Sequence, residues 1–176
     1  MADPAELLKR ITWLHHFTDT RNLPSIKKLG GLYSRYKLKK MGSEGYHTGG
    51  NQWSLDADEL FGMEKYVHLC LRTNHPLEHI ATQDGRIEKT AWLYIDAASV
   101  FKHEEVLYSY GVSNKAGMKI CPIEEAAKDI DFQVLYTRTD WHDPDINARL
   151  RHAELCEILV PKHVPLKYFE KYFPNG

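Results

Sequence analysis

The chain has 176 residues, 43% hydrophobic and 27% charged, and its 23 Lys and Arg nearly cancel its 24 Asp and Glu to leave a formal charge of −1. That length suits one domain, expected over residues 1–176, with enough apolar content for its own core. The composition excludes a disordered chain, no apolar run approaches the ~18 residues of a membrane span, and the balanced charge excludes a protein that coats nucleic acid nonspecifically.

The opening "MADPAELLKRITWL" is too acidic and polar for a secretory signal. Cys70, Cys121 and Cys156 are an odd set without close spacing. They read as reduced thiols, so a cytoplasmic protein is expected. Residues 11–18, "ITWLHHFT", read as a strand of β-branched and aromatic residues. "RNLPSIKKLGGL" then reads as a short helix with Asn22 as N-cap and Pro24 in the first turn, stopped by Gly30 and Gly31. Residues 42–51 carry four glycines and predict a mobile loop. "KYVHLCL" (65–71), "TAWLYIDA" (90–97) and "EVLYSYGV" (105–112) are strand candidates, with turn signals at Asn74, Pro76 and Asp84-Gly85. "IEEAAKDIDFQVLY" (123–136) and "DPDINARLRHAEL" (143–155) read as helices. "CEILVP" (156–161) reads as a short buried strand, and "HVPLKYFEKYF" (163–173) as an amphipathic terminal helix. Strands and helices without βαβ alternation predict an α+β domain.

Generic chemical signatures are missing: the chain has no GxGxxG, P-loop, GxSxG or HExxH. His75 and His79 have the spacing of two ligands on one helix face, but Pro76 sits between them and no third ligand follows, so no metal is expected. Cys70 and Cys156 lie in apolar strands, where thiols are inert. Glu154 and Glu157 bracket the end of a basic helix and the start of "CEILVP". Glu157 directly precedes Ile158-Leu159-Val160, and a carboxylate at the mouth of a buried strand is costly without a role or a partner. Either it faces a cleft, or it is a rim glutamate paired with Arg149 or Arg151. Residues 21–40 hold seven bases and no acid (Arg21, Lys27, Lys28, Arg35, Lys37, Lys39 and Lys40), interleaved with Tyr33 and Tyr36. Phosphates need cations and bases need flat faces, so this segment suits single-stranded nucleic acid, against the alternative of a solvated helix face.

Three blocks together resemble the DarT family of NAD-dependent DNA ADP-ribosyltransferase toxins. They are "HHFTDTRNLPSIKKLGGLYS", "KYVHLCLRTNHPLEHIA" and "AELCEILVP", in that order across about residues 11–168. The resemblance implies an ADP-ribosyltransferase-like fold, with a mainly antiparallel split sheet flanked by helices. It implies transfer of ADP-ribose from NAD, as co-substrate, to a base of single-stranded DNA, with RNA as a second acceptor class. As a toxin, such an enzyme would be paired with an antitoxin that has ADP-ribose hydrolase activity.

Carried over by position, His16, Thr18 and Asn22 would bind NAD. Glu157 would be the catalytic glutamate, with Glu154 as the alternative register, and Arg35 would be the arginine supplied after the first helix. Cleaving the nicotinamide–ribose bond passes through an oxocarbenium-like state, as in glycoside cleavage. Glu157 would hydrogen-bond the ribose, stabilise the positive charge and help remove the acceptor's proton. His16 and Thr18 would orient one half of NAD, and Arg35 would hold the pyrophosphate or assist the acceptor. The chain departs from the family in its middle block, which reads "HLCL" where the family has an aromatic-rich "PFYF"-like strand. Two other readings of the same fold are an NAD-dependent RNA 2′-phosphotransferase, indifferent to loss of Glu157, and a non-catalytic nucleotide or nucleic-acid-binding module.

Overall fold

The computed structural model describes residues 4–43, 45–73 and 75–171. Its organising strand is β1 (Trp13–Asp19), which pairs antiparallel with β4 (Thr90–Asp96) over its full length, from Trp13 opposite Asp96 to Asp19 opposite Thr90. On its other edge β1 meets β3 (Tyr66–Cys70) at a single position, His15 opposite Cys70. β3 in turn pairs with β7 (Glu157–Pro161), from Tyr66 opposite Pro161 to Cys70 opposite Glu157. The sheet therefore parts between β1 and β3, and both halves are antiparallel. β5 (Leu107–Ser109) and β6 (Ile120–Pro122) extend one edge, and β9 (Phe169–Lys171) extends the other. This is the expected α+β domain with a split sheet.

The core explains the order. β7 is buried on both faces, with Ile158 and Val160 on one side and Leu159 on the other, as its unbroken apolar run requires. Leu14, Leu69, Leu93 and Ile95 fill the layer beneath β1, β3 and β4.

Helices α1 (Pro4–Lys9), α2 (Leu23–Leu29), α3 (Arg35–Lys40), α4 (Gln52–Phe61) and α5 (Pro76–Gln83) precede β4, and α6 (Ala97–Val100) follows it. Two of them stand where the sequence showed only loop or turn signals. Asn51 caps α4 by accepting the Ser54 N–H at 2.9 Å, and His75 caps α5 by accepting the Leu77 N–H at 3.2 Å.

Three expectations are corrected. The helix read over 123–136 is two pieces, α7 (Ile123–Asp129) and α8 (Phe132–Tyr136). Ile130 turns extended, and Asp131 caps the second piece at Val134 N–H, 3.0 Å away. The tail is not a helix. His163–Pro165 forms β8 against β2 (Gly31–Tyr33), a 3₁₀ turn follows, and β9 joins β4. Burial of Val164 and pairing of Phe169 with Ile95 outweigh the helical period there, and Tyr172 and Phe173 lie outside the described residues. Gly31 is required where β2 meets β8: its φ is +152°, and a Cβ would fall 2.2 Å from the Val164 carbonyl oxygen. Finally, Asn22 holds the N-cap position of α2 as read, but its side chain makes no capping hydrogen bond. It lies in a 3₁₀ turn, Thr20–Asn22, whose cap is Asp19, and its amide is used elsewhere. α9 (Pro144–Glu154), opened by Asp143, and β7 stand as read.

Candidate active site

Glu157 is the first residue of β7 and is buried at the base of a cavity of about 670 Å³, within the usual range for small-molecule sites. Its Oε2 accepts the Ser113 N–H at 2.9 Å and lies 3.5 Å from His68 Nδ1. Burial favours the protonated acid, but the positive charge of His68 and the hydrogen bonds from Ser113 more than offset it. The carboxyl is held below its ordinary range and is ionised at neutral pH.

The same cavity is lined by all five residues marked out in the sequence: His16, Thr18, Asn22, Arg35 and Glu157. His16 Nδ1 donates to the His68 carbonyl at 2.9 Å, which leaves its Nε2 as an acceptor. Burial, aided by the charge of His68, keeps the His16 ring neutral. Thr18 and Asn22 are joined, with Asn22 Nδ2 donating to Thr18 Oγ1 at 3.0 Å.

Asn22 also grips the loop before α4. Its Nδ2 donates to the His47 carbonyl at 2.7 Å and its Oδ1 accepts the His47 N–H at 2.8 Å. Arg86 holds the same loop at the Gly49 carbonyl, and a Cβ at Gly49 would lie 3.2 Å from the Phe17 ring. The segment read as a mobile loop is thus pinned from two sides. Asn22→Ala removes one pin. We expect amide exchange over residues 45–50 to speed up and the KM for NAD to rise about tenfold, the value of one or two lost hydrogen bonds. Exchange mass spectrometry and steady-state kinetics check both.

Arg35 opens α3 and reaches across to α4. One terminal nitrogen donates to the Leu55 carbonyl at 2.5 Å, the other lies 3.3 Å from Glu59, and its buried Nε has no hydrogen-bond partner among the described residues. Glu154, the alternative register, lies outside the cavity at the end of α9, 3.3 Å from Arg72. Arg149, one of the two arginines considered for a rim Glu157, pairs instead with Asp131 at 2.7 Å.

Three of the seven bases in the acid-free segment 21–40 are paired from outside it. Arg21 is bound to buried Asp19 and to Glu88, and Arg35 and Lys39 share Glu59. Tyr33 stacks on His163 and Lys40 covers Tyr36, so these two rings are less open than the sequence pattern implied.

Sequence reasoning missed His68, Ser113, Asn114 and Asp58. Asn114 closes the far wall by donating to Asp58 at 2.9 Å and to Ser54 Oγ at 3.0 Å. Cys70 also lines the cavity, but burial and the adjacent Glu157 push its thiol up, away from the thiolate. His79 bonds Gln83, and among the described residues no three His, Cys, Asp or Glu converge as metal ligands.

The sheet thus parts between β1 and β3 beside a cavity that holds a buried, ionised carboxylate. The model of the family described as "ssDNA thymidine ADP-ribosyltransferase, DarT" matches residues 15–173, and the chain belongs to this family. Solved structures agree on the fold. Thermus sp. 2.9 DarT in complex with ADP-ribosylated ssDNA superposes with a TM-score of 0.71 at 17% identity, over 92% of this chain and 80% of that one. The same protein in complex with NAD+ gives 0.67 at 18%, over 93% and 81%. Thermosipho africanus DarTG in complex with ADP-ribose gives 0.63 at 16%, over 90% of this chain and 43% of that one. No curated protein sequence matches the chain.

Proposed function

We propose that this cavity carries out the family's reaction, moving ADP-ribose from NAD to thymidine in single-stranded DNA, with residues 1–176 acting as one domain. The observation that carries this reading is the ionised Glu157 at the cavity base, with His16, Thr18, Asn22 and Arg35 lining the same space.

The residues divide the work. Nicotinamide departs with the electron pair of the ribosyl C–N bond, which discharges its pyridinium nitrogen. The positive charge that builds on the ribose is stabilised by Glu157. The base's ring N–H supplies the attacking nitrogen, and its proton passes to Glu157 as the new C–N bond forms. His16 offers Nε2 as an acceptor, and the Thr18 and Asn22 pair orients the nucleotide. Arg35 forks onto the pyrophosphate or steadies the acceptor. At the cavity rim, Trp53 is 72% exposed and presents a flat face for a neighbouring base. A single strand suits the site because its base is reached without unstacking a duplex.

No described helix is long and apolar enough to cross a membrane. We further propose a cytoplasmic toxin restrained by an antitoxin that hydrolyses ADP-ribose from DNA, a role supported by the likeness to DarTG.

The test is incubation with NAD and separate pools of single-stranded DNA, duplex DNA and RNA. We expect nicotinamide release and an ADP-ribose mass increment on single-stranded DNA. Intact NAD and unmodified nucleic acid in every pool contradict the reading.

A further inference from the structure

His68 has no part in the reaction as assigned above, yet it lies against the carboxylate that does. The register of β3 on β7 sets Cys70 opposite Glu157 and His68 opposite Leu159. Side chains alternate along a strand, so His68 and Glu157 share one face as diagonal neighbours, a separation an imidazole spans. The ring is anchored at its far end, where Nε2 donates to the Met63 carbonyl at 3.0 Å. Nδ1 is therefore the atom that meets Glu157, at 3.5 Å from Oε2, with Ser113 Oγ 3.3 Å away. The Ser113 N–H occupies the same Oε2, and among the described residues no hydrogen bond engages Oε1.

We propose that His68 is a positioning residue for ADP-ribose transfer: as an imidazolium it fixes Glu157 through Oε2 and leaves Oε1 turned to the ribose. The proposal rests on the reading of Glu157 as the catalytic carboxylate.

The charges around the ring support it from each packed element. Glu157 faces it from β7 and Asp58 from α4, while neutral His16 donates to its carbonyl from β1. Arg35 acts on Asp58, and His75 and Cys70 lie within reach of Glu157's field. Burial opposes the charge on His68, but Glu157 and then Asp58 outweigh it, raising the ring to about 9. The sign follows. A base raised in the folded state contributes stability fully below the unfolded value of about 6.5, and loses it as pH climbs through about 9. Across neutral pH the imidazolium is present and Glu157 stays ionised.

Two measurements test the proposal. In the first, NMR titration of labelled histidine rings, the His68 signal is assigned by its loss in His68→Gln. We expect that ring to titrate near 9 in the wild type and to fall to about 6.5 or below in Glu157→Gln. In the second, rate is followed against pH with NAD and single-stranded DNA. We expect His68→Gln, which keeps a polar group but loses the charge, to reduce kcat roughly tenfold with little change in the KM for NAD. Its acid limb should move up by about one pH unit.

An active wild type whose His68 titrates near 6.5, or a folded His68→Gln whose acid limb does not move, overturns the proposal alone. A wild type inactive on NAD and DNA overturns the functional reading and this role with it, whatever the ring's titration. Should His68→Gln fail to fold, its signal is assigned by elimination among the histidines and the titration in Glu157→Gln decides.

Discussion

We expect Glu157→Gln to lower ADP-ribose transfer to single-stranded DNA by about 10²–10³-fold, the usual cost of removing one preorganised electrostatic stabiliser. The substitution keeps the shape of the side chain, and the amide oxygen still accepts the Ser113 N–H. What it loses is the negative charge beside His68 and, on the proposed mechanism, the base that takes the acceptor's proton. The defect therefore belongs in kcat, with the KM for NAD nearly unchanged, because the charge acts on the transition state rather than on the bound dinucleotide. Rates of nicotinamide release and of DNA labelling should fall together. A variant that retains either rate removes Glu157 from the chemistry.

Arg35→Ala is the second large effect. Its guanidinium is nearly buried, is fixed by the Leu55 carbonyl and Glu59, and carries an Nε with no partner among the described residues. Loss of a charge-assisted hydrogen bond to a phosphate or to the acceptor costs about 1.5–3 kcal/mol, or roughly ten- to hundredfold in kcat/KM. Arg35→Lys should recover little, because an ammonium cannot fork between the two partners. The kinetic split reads the role. A rise in the KM for NAD places the guanidinium on the pyrophosphate. A fall in transfer to DNA with NAD binding intact places it on the acceptor. Unchanged kcat/KM in Arg35→Ala leaves it a structural brace between α3 and α4.

How much of this was legible in the sequence depended on range. Glu157 stood out because an ionisable residue heads an apolar strand, a local conflict visible without coordinates. β1 and β7 were likewise readable, since β-branched and apolar runs of that length have few alternatives. His68 was not, because its meaning lies in a cross-strand register with β7 that spans 89 positions of chain between partners His68 and Glu157. Asn22 shows the opposite failure: its position before a Pro-containing turn fits an N-cap, yet the amide is bound to Thr18 and His47 instead. The tail misled in the same way, for over residues 163–171 the helical period yielded to pairing with β2 and β4.

The charge balance illustrates the point at larger scale. Residues 21–40 are acid-free in sequence, but Asp19, Glu88 and Glu59 reach in to pair three of their seven bases. We expect a chain of this charge balance to hold DNA weakly, by brief local contact, with a shallow salt dependence set by the few phosphates it touches.

The most direct test of the central claim compares two single-stranded oligonucleotides, one containing a single thymidine and one with none, each incubated with NAD and wild-type protein and weighed intact. The thymidine strand should gain one ADP-ribose, the other should gain nothing, and Glu157→Gln should slow the gain by at least about 10²-fold. An equal gain on both strands, or a gain that Glu157→Gln leaves at the wild-type rate, contradicts the account.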